Sequence, residues 1–169
     1  MARPGRAADA ERVAAWISAE KRPTRKGILI MAWEVEGLIS RWSCPLAAEG
    51  IGKGAVMCIA RAVPRDNWHF ILLLHGAEVL RWDVDDDGAA RSHHNTACPA
   101  HYPRLVTAPR HEHQWNEGLG THCAVPLFPL PRPGCTHREA WDAFRIRANI
   151  SGDLRHINPG HPPEPMTLF

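Results

Sequence analysis

W-H-F-I-L-L-L from Trp68 to Leu74, then His75-Gly76, then E-V-L-R-W-D-V from Glu78 to Val84, is the stretch on which the fold turns. Two apolar runs of strand length flank a short glycine-containing turn, which is the pattern of a β-hairpin. The second run leads directly into the acidic turn D-D-D-G.

Upstream of the hairpin, Ala55 to Val63 (A-V-M-C-I-A-R-A-V) reads as another strand. Ile28 to Glu36 and Leu38 to Cys44 form a second hairpin around Gly37. The glycine-rich E-G-I-G-K-G at Glu49 to Gly54 lacks the G-x-x-x-x-G-K-[ST] order of a phosphate loop and is followed by a strand, so it reads as a turn. Ala7 to Lys21 is rich in helix formers, with Val13, Trp16 and Ile17 on one face and Pro23 as the break. The basic run from Lys21 to Lys26 reads as a solvated loop.

Downstream, Ser92 to Tyr102 is polar and reads as a loop, and Leu105 to Thr107, Arg110 to Trp115 and Ala124 to Leu127 are short strands. Phe128 to Gly134 is a proline-broken linker. Thr136-His-Arg-Glu139 has the form of a capping box, opening a helix that extends to about Ile150. The expected class is α+β: a mostly antiparallel sheet of five to six strands with an N-terminal and a C-terminal helix. Residues 1–157 form one domain, and the proline-rich residues 158–169 form a tail.

The 169 residues carry 20 Lys plus Arg against 18 Asp plus Glu, a net charge of +2. That balance gives no electrostatic argument for nucleic-acid binding. Only Lys21, Lys26 and Lys53 are lysines, so the basic residues are overwhelmingly arginine, the better bidentate partner for phosphate. GC-rich coding produces the same bias without any function. The five cysteines, Cys44, Cys58, Cys98, Cys123 and Cys135, are odd in number and widely spaced, which fits reduced thiols. The N-terminus has no apolar leader and no stretch is long enough to span a membrane, so a cytoplasmic location is expected.

Chemistry concentrates between Leu80 and Leu127, where His93, His94, His101, His111, His113 and His122 account for six of the eleven histidines. His111 and His113, two residues apart on a strand, present both imidazoles to one face. Such a pair suits a metal, a concerted acid and base, or a purely structural role, and all three readings stand at this point. The metal candidates are His93, His94, His111, His113 and His122, with zinc as the candidate cofactor and none in the metal-free reading. Asp83-x-Asp85-x-Asp87-Gly88 copies the first half of a calcium loop, but His94 stands where the bidentate glutamate belongs; a polar β-turn explains it. RNA cleavage needs a base, an acid and a cation, which two histidines and an arginine supply without metal. Arg110 and Arg91 are the nearby candidate cations.

The order R-W-D, G, H-H-N, H-x-H, W-x-E-G and A-V-P-L, from Arg81 to Leu127, resembles a family of small bacterial and phage proteins. More loosely it resembles the TumE-type toxins of toxin-antitoxin modules. The resemblance carries over Arg81, Asp83, Gly88, His94, Asn95, His111, His113, Trp115 and Glu117, and implies a mobile-element or defence setting. The segment C-P-A-H-Y-P-R, the extra acidic residues Asp85 and Asp86, the N-terminal helix and the tail depart from that pattern.

The expected function is a toxin-type, metal-independent endoribonuclease or RNA-binding protein. His111 and His113 are then acid and base, Arg81 or Arg110 the phosphate clamp, and Asp83 the orienting carboxylate. His94, Asn95, Trp115 and Glu117 are expected to bind, and the partners are RNA or a protein such as a cognate antitoxin or a nuclease complex, with no membrane. Seven tryptophans and many arginines also suit a non-enzymatic phage or plasmid inhibitor of a nuclease or CRISPR complex. A metal-stabilised structural domain is the third reading.

Overall fold

The computed structural model describes residues 9–25, 29–30, 33–61, 67–85, 92–127 and 134–156. The acidic turn at 86–91, including Asp86, Asp87, Gly88 and Arg91, lies outside the described residues, as do most of the 128–134 linker and the 158–169 tail. In chain order the elements are α1 (Ala10–Ser18), β1 (Arg22–Pro23), β2 (Leu29–Ile30), β3 (Glu34–Glu36), β4 (Ile39–Ala48), β5 (Gly52–Arg61), β6 (Asn67–Leu74) and β7 (Ala77–Asp85). They continue with β8 (His93–His94), β9 (Leu105–Val106), β10 (Arg110–Asn116), β11 (Gly120–Pro126), α2 (His137–Arg147) and β12 (Leu154–Arg155).

The class is α+β, with an eight-stranded sheet in the order β1-β4-β5-β6-β7-β10-β11 and β3 beside β4. Every pairing in it is antiparallel. Six of these strands, β4 to β7 with β10 and β11, are long; β1 and β3 are short pieces sharing one edge. That interrupted edge accommodates Pro45, which has no N–H to donate and whose carbonyl accepts from the Thr24 amide at 3.0 Å. Instead of one strand from Ile28 to Glu36 there are two: β2 pairs in parallel with β12, and only β3 joins the hairpin around Gly37. The glycine-rich segment after β4 is a hairpin turn into β5, as its composition implies.

Register brings Trp42, Cys58, Phe70 and Trp82 side by side across four strands of one face. α2 lays Trp141 5.7 Å from Trp42, and Phe144 5.6 Å from Phe70 and 5.5 Å from Trp82, ring centre to ring centre. Fully burying side chains of this size stabilises by about 1.5–3 kcal/mol each, so this aromatic layer is the main adhesive of the fold. Trp16 of α1 is fully buried on the same core. It fits because β5 carries Gly54: a Cβ there would run into the Leu73 carbonyl oxygen and sit 2.6 Å from the Trp16 ring.

Both helices begin as the residue types require. Asp9 caps α1 through the Arg12 amide at 2.7 Å, and Thr136 with Glu139 closes the capping box of α2. Both end before the expected Lys21 and Ile150. The reason at α1 is Lys21, fully buried, whose ammonium donates to the carbonyls of Ile17 (3.0 Å), Ala19 (2.7 Å) and Ala148 (2.6 Å). One cation thus satisfies carbonyls at the ends of both helices, and burial together with Arg147 pushes it down to about 8.

The expectation of reduced thiols throughout is corrected. Cys98 and Cys123 form a disulfide with Cα atoms 5.7 Å apart, while Cys44, Cys58 and Cys135 are buried free thiols. The bridge joins the 92–109 segment to β11, a proximity that widely spaced cysteines do not reveal.

Candidate functional site

The face of the sheet away from the helices carries the polar residues. Strand alternation places Arg81 and Asp83 of β7 and His111 and His113 of β10 on that face, with His111 opposite Asp83 and His113 opposite Arg81. On the other side of β7, His69 of β6 also lies opposite Asp83. Asp83 is therefore flanked by histidines on both neighbouring strands.

Behind the site, the intervening Glu112 is buried on the helix side. It accepts from the Trp82 indole at 2.7 Å, Gln114 at 2.8 Å and the Arg147 guanidinium at 2.8 and 2.9 Å. That network pins β10 to α2 and hence fixes the direction of His111 and His113.

His69 Nδ1–H donates to Asp83 Oδ1 at 2.8 Å, and Arg81 Nε lies 2.9 Å from the same oxygen. The Arg81 N–H is not aligned with that oxygen, so their contact is a charge contact and not a hydrogen bond. Asp83 Oδ2 is 3.1 Å from His113 Nε2 and 3.4 Å from His111 Nε2. Arg81 Nη2 also donates to His113 Nε2 at 2.7 Å, and its Nη1 donates to Glu78 at 3.3 Å. Thr121 Oγ1 donates to the same Glu78 oxygen. Burial works to raise the Asp83 carboxyl, but the contacts from His111, His113 and His69 outweigh it and hold the group well below the usual carboxylate range. Asp83 is thus an anion throughout the working pH range.

Exposure divides the cluster. The side chains of His113 and His111 are 2% and 9% exposed, whereas Asp83, His69 and Arg81 are 15%, 23% and 29% exposed. The roof over the buried pair comes from the 92–109 segment. His93 sits with its ring 4.8 Å from that of His113 and 6.0 Å from that of His111, its Nε2–H donating to the His122 carbonyl at 2.7 Å. Burial and the neighbouring histidines hold His93 below its ordinary pKa, against the contrary effect of that hydrogen bond.

Of the residues singled out in the sequence, Arg81, Asp83, His111, His113 and His93 converge, with His122 at the margin. Asn95 has a different job. Its side chain donates to the carbonyls of Pro103 and Ala124 and accepts from the Ala124 amide, fastening the segment to the free edge of β11. His94 is exposed on β8, opposite Leu105, and Glu117 is exposed in the turn between β10 and β11. Trp115 is directed to the main core beside a bulge between Gln114 and Asn116. Arg110 is buried one position before His111, on the opposite face by alternation.

The residue that sequence reading passed over is His69, a lone histidine in the apolar run W-H-F-I-L-L-L. Counting outward from the His75-Gly76 turn sets it against Trp82. A bulge between Leu72 and Leu73 on one side and Glu78 and Leu80 on the other shifts the register by one, so His69 meets Asp83 instead. The available signal is that Val79 and Leu80, adjacent in sequence, are both apolar.

No helix among the described residues is long and apolar enough to cross a membrane. Comparison with protein-family models, with curated proteins and with solved structures finds no match to this chain.

Proposed function

We propose that this protein acts on RNA at the Asp83 site, cleaving the phosphodiester backbone as an endoribonuclease. The observation that carries the reading is the convergence on one carboxylate of three imidazoles and a guanidinium, on a face the helices leave free. RNA cleavage asks for proton transfer at the 2'-hydroxyl and the leaving oxygen, and for a cation beside the charge that builds on phosphorus. Arg81, the most exposed of the cluster, binds the phosphate. His69 moves the proton: Asp83 holds its Nδ1–H, so its Nε2 bears the lone pair and has no partner among the described residues. Asp83 orients His69 and balances its charge. His111 and His113, expected from sequence to be acid and base themselves, are too enclosed to reach a polymer and act through Asp83.

The resemblance to TumE-type toxins adds a setting to this reading, a mobile-element or defence module whose natural protein partner is an antitoxin. Cytoplasmic placement belongs to the same reading. Disulfides are rare in that compartment, so thiol titration of protein quenched directly from cells tests it through Cys98 and Cys123.

The test of activity is cleavage of single-stranded and structured RNA by purified protein. His69→Gln and Arg81→Met are each expected to lower cleavage at least a hundred-fold while leaving the circular dichroism spectrum unchanged. RNA left intact by the wild-type protein, or cleaved equally by both variants, overturns the reading.

A further inference from the structure

We infer that Asp83, His111 and His113 form a binding site for one divalent first-row transition ion of the zinc or iron(II) class. This deepens the RNA reading by naming what the enclosed half of the same site holds. Asp83 Oδ2 and the two Nε2 atoms all lie within 4.8 Å of one another. Two imidazoles and one carboxylate on one side of an ion, with the remaining positions open, is the donor set of catalytic zinc and non-haem iron centres. Oxygen-only ions such as calcium and magnesium do not select two imidazoles.

The second argument comes from where the protons are. His113 Nδ1 faces the Thr121 carbonyl at 3.0 Å and His111 Nδ1 faces the Ala108 carbonyl at 3.3 Å. A carbonyl oxygen only accepts, so both Nδ1 atoms carry the hydrogen and both Nε2 atoms of the neutral rings carry lone pairs. For His113 this is doubly required, because Arg81 donates to that same Nε2. In the neutral rings two nitrogen lone pairs and a carboxylate oxygen then point at one another across 3.1 and 3.4 Å, and a cation between them, a further proton on each ring or a metal ion, completes the arrangement. Backbone carbonyls holding the far nitrogen of each imidazole are the usual outer support of metal-bound histidines. The carboxylate has support too, since His69 and Arg81 hold its other oxygen, Oδ1.

Metal–nitrogen bonds of about 2.0–2.1 Å require the three atoms to close to roughly 3.3 Å apart, so the two rings must approach by about an ångström or more. Arg81 must also yield. Its Nη2 occupies the His113 lone pair that the ion needs, and Glu78, already bonded to its Nη1, is the anion it can turn toward. Guanidinium and metal therefore compete for one position, which distinguishes this site from a generic histidine cluster. When bound, the ion would act from behind Asp83, drawing charge from the carboxylate that orients His69 and fixing the two imidazoles that hold it.

The experiment uses the full chain with its disulfide intact, stripped with chelator and titrated with Co²⁺. The expected result is one equivalent bound with visible absorption bands, displaced by Zn²⁺ but not by Mg²⁺ or Ca²⁺. Asp83→Asn and His113→Gln weaken binding at least a hundred-fold, and Arg81→Met tightens it about ten-fold. Because a variant at so enclosed a residue can fail to fold, the wild-type protein supplies an independent reading: Zn²⁺ raises its melting temperature. Absence of both the Co²⁺ bands and that rise overturns the inference, as does undiminished binding in a folded Asp83→Asn protein. RNA cleavage by a protein that takes up no Co²⁺ and shows no Zn²⁺ stabilisation overturns the metal and leaves the RNA reading standing. Stoichiometric Co²⁺ with no cleavage of any RNA does the reverse.

Discussion

His137, on the helix side of the sheet, shows what burial does to a histidine with no carboxylate against its ring among the described residues. Its ring lies within 5.4 Å of Trp33, 5.2 Å of Trp68 and 5.2 Å of Phe70, and its Nδ1 is 2.7 Å from His156 Nε2. Burial, reinforced by His156, drives it from 6.5 down to about 3. The folded-state value lies below the unfolded one, so the neutral ring's contribution is complete above pH 6.5 and is lost as pH falls toward 3. Each unit of separation corresponds to about 1.4 kcal/mol, so by pH 4 the loss is roughly 3 kcal/mol. Replacing the ring by His137→Leu is expected to flatten that part of the profile, whatever it does to stability at neutral pH. Urea unfolding at pH 7 and pH 4 checks this: an equal drop for wild type and variant would show that His137 is not the acid-sensitive group. Asp83, on the opposite face, is the contrasting case, an enclosed carboxyl that its imidazole neighbours keep ionised.

At the scale of elements, the 92–109 segment is held over the site by two devices of different strength. One is Asn95, whose two bonds to the Ala124 amide and carbonyl mimic strand pairing along β11 while a third holds the Pro103 carbonyl of its own segment; the other is the Cys98–Cys123 bridge, which closes a 25-residue separation. Chain-entropy reasoning assigns a closure of that length roughly 3 kcal/mol. The double variant Cys98→Ser/Cys123→Ser is therefore expected to exchange amide hydrogens faster in residues 92–109, with little change in β4 to β7. Exchange that accelerates equally across the central strands would mean that the bridge stabilises the whole fold and not this roof. His93 travels with the segment, so its loosening exposes the rings of His111 and His113.

Across the whole molecule, the site and the core are two faces of the same strands, coupled through Glu112. Its carboxylate, between His111 and His113 in sequence, is held from the far side of the sheet by Arg147 and Trp82. Glu112→Ala leaves a buried indole N–H without its acceptor and a guanidinium without its anion. The expected cost is roughly 2–4 kcal/mol, less than for a fully enclosed pair because the Arg147 side chain is 38% exposed. Glu112→Gln retains an acceptor for Trp82 and is expected to cost less. A change below about 0.5 kcal/mol for Glu112→Ala in urea unfolding would refute the coupling. The sequence alone determined what depends on near neighbours: the 68–84 hairpin, the strand alternation that pairs His111 with His113, the Thr136–Glu139 capping box, and the α+β class with its two helices. These follow from periodicity and from residues a few positions apart, which interact whatever the rest of the chain does. Tertiary structure decided the remainder. The bulge at Val79 brings His69 to Asp83, β10 docks beside β7 to bring in His111 and His113, and the path of the 92–109 segment joins Cys98 to Cys123; Lys21 is set apart from its basic run only once α2 supplies the Ala148 carbonyl. Each of these is a meeting of residues distant in sequence, chosen by how the strands pack and register, and no local pattern carries that information.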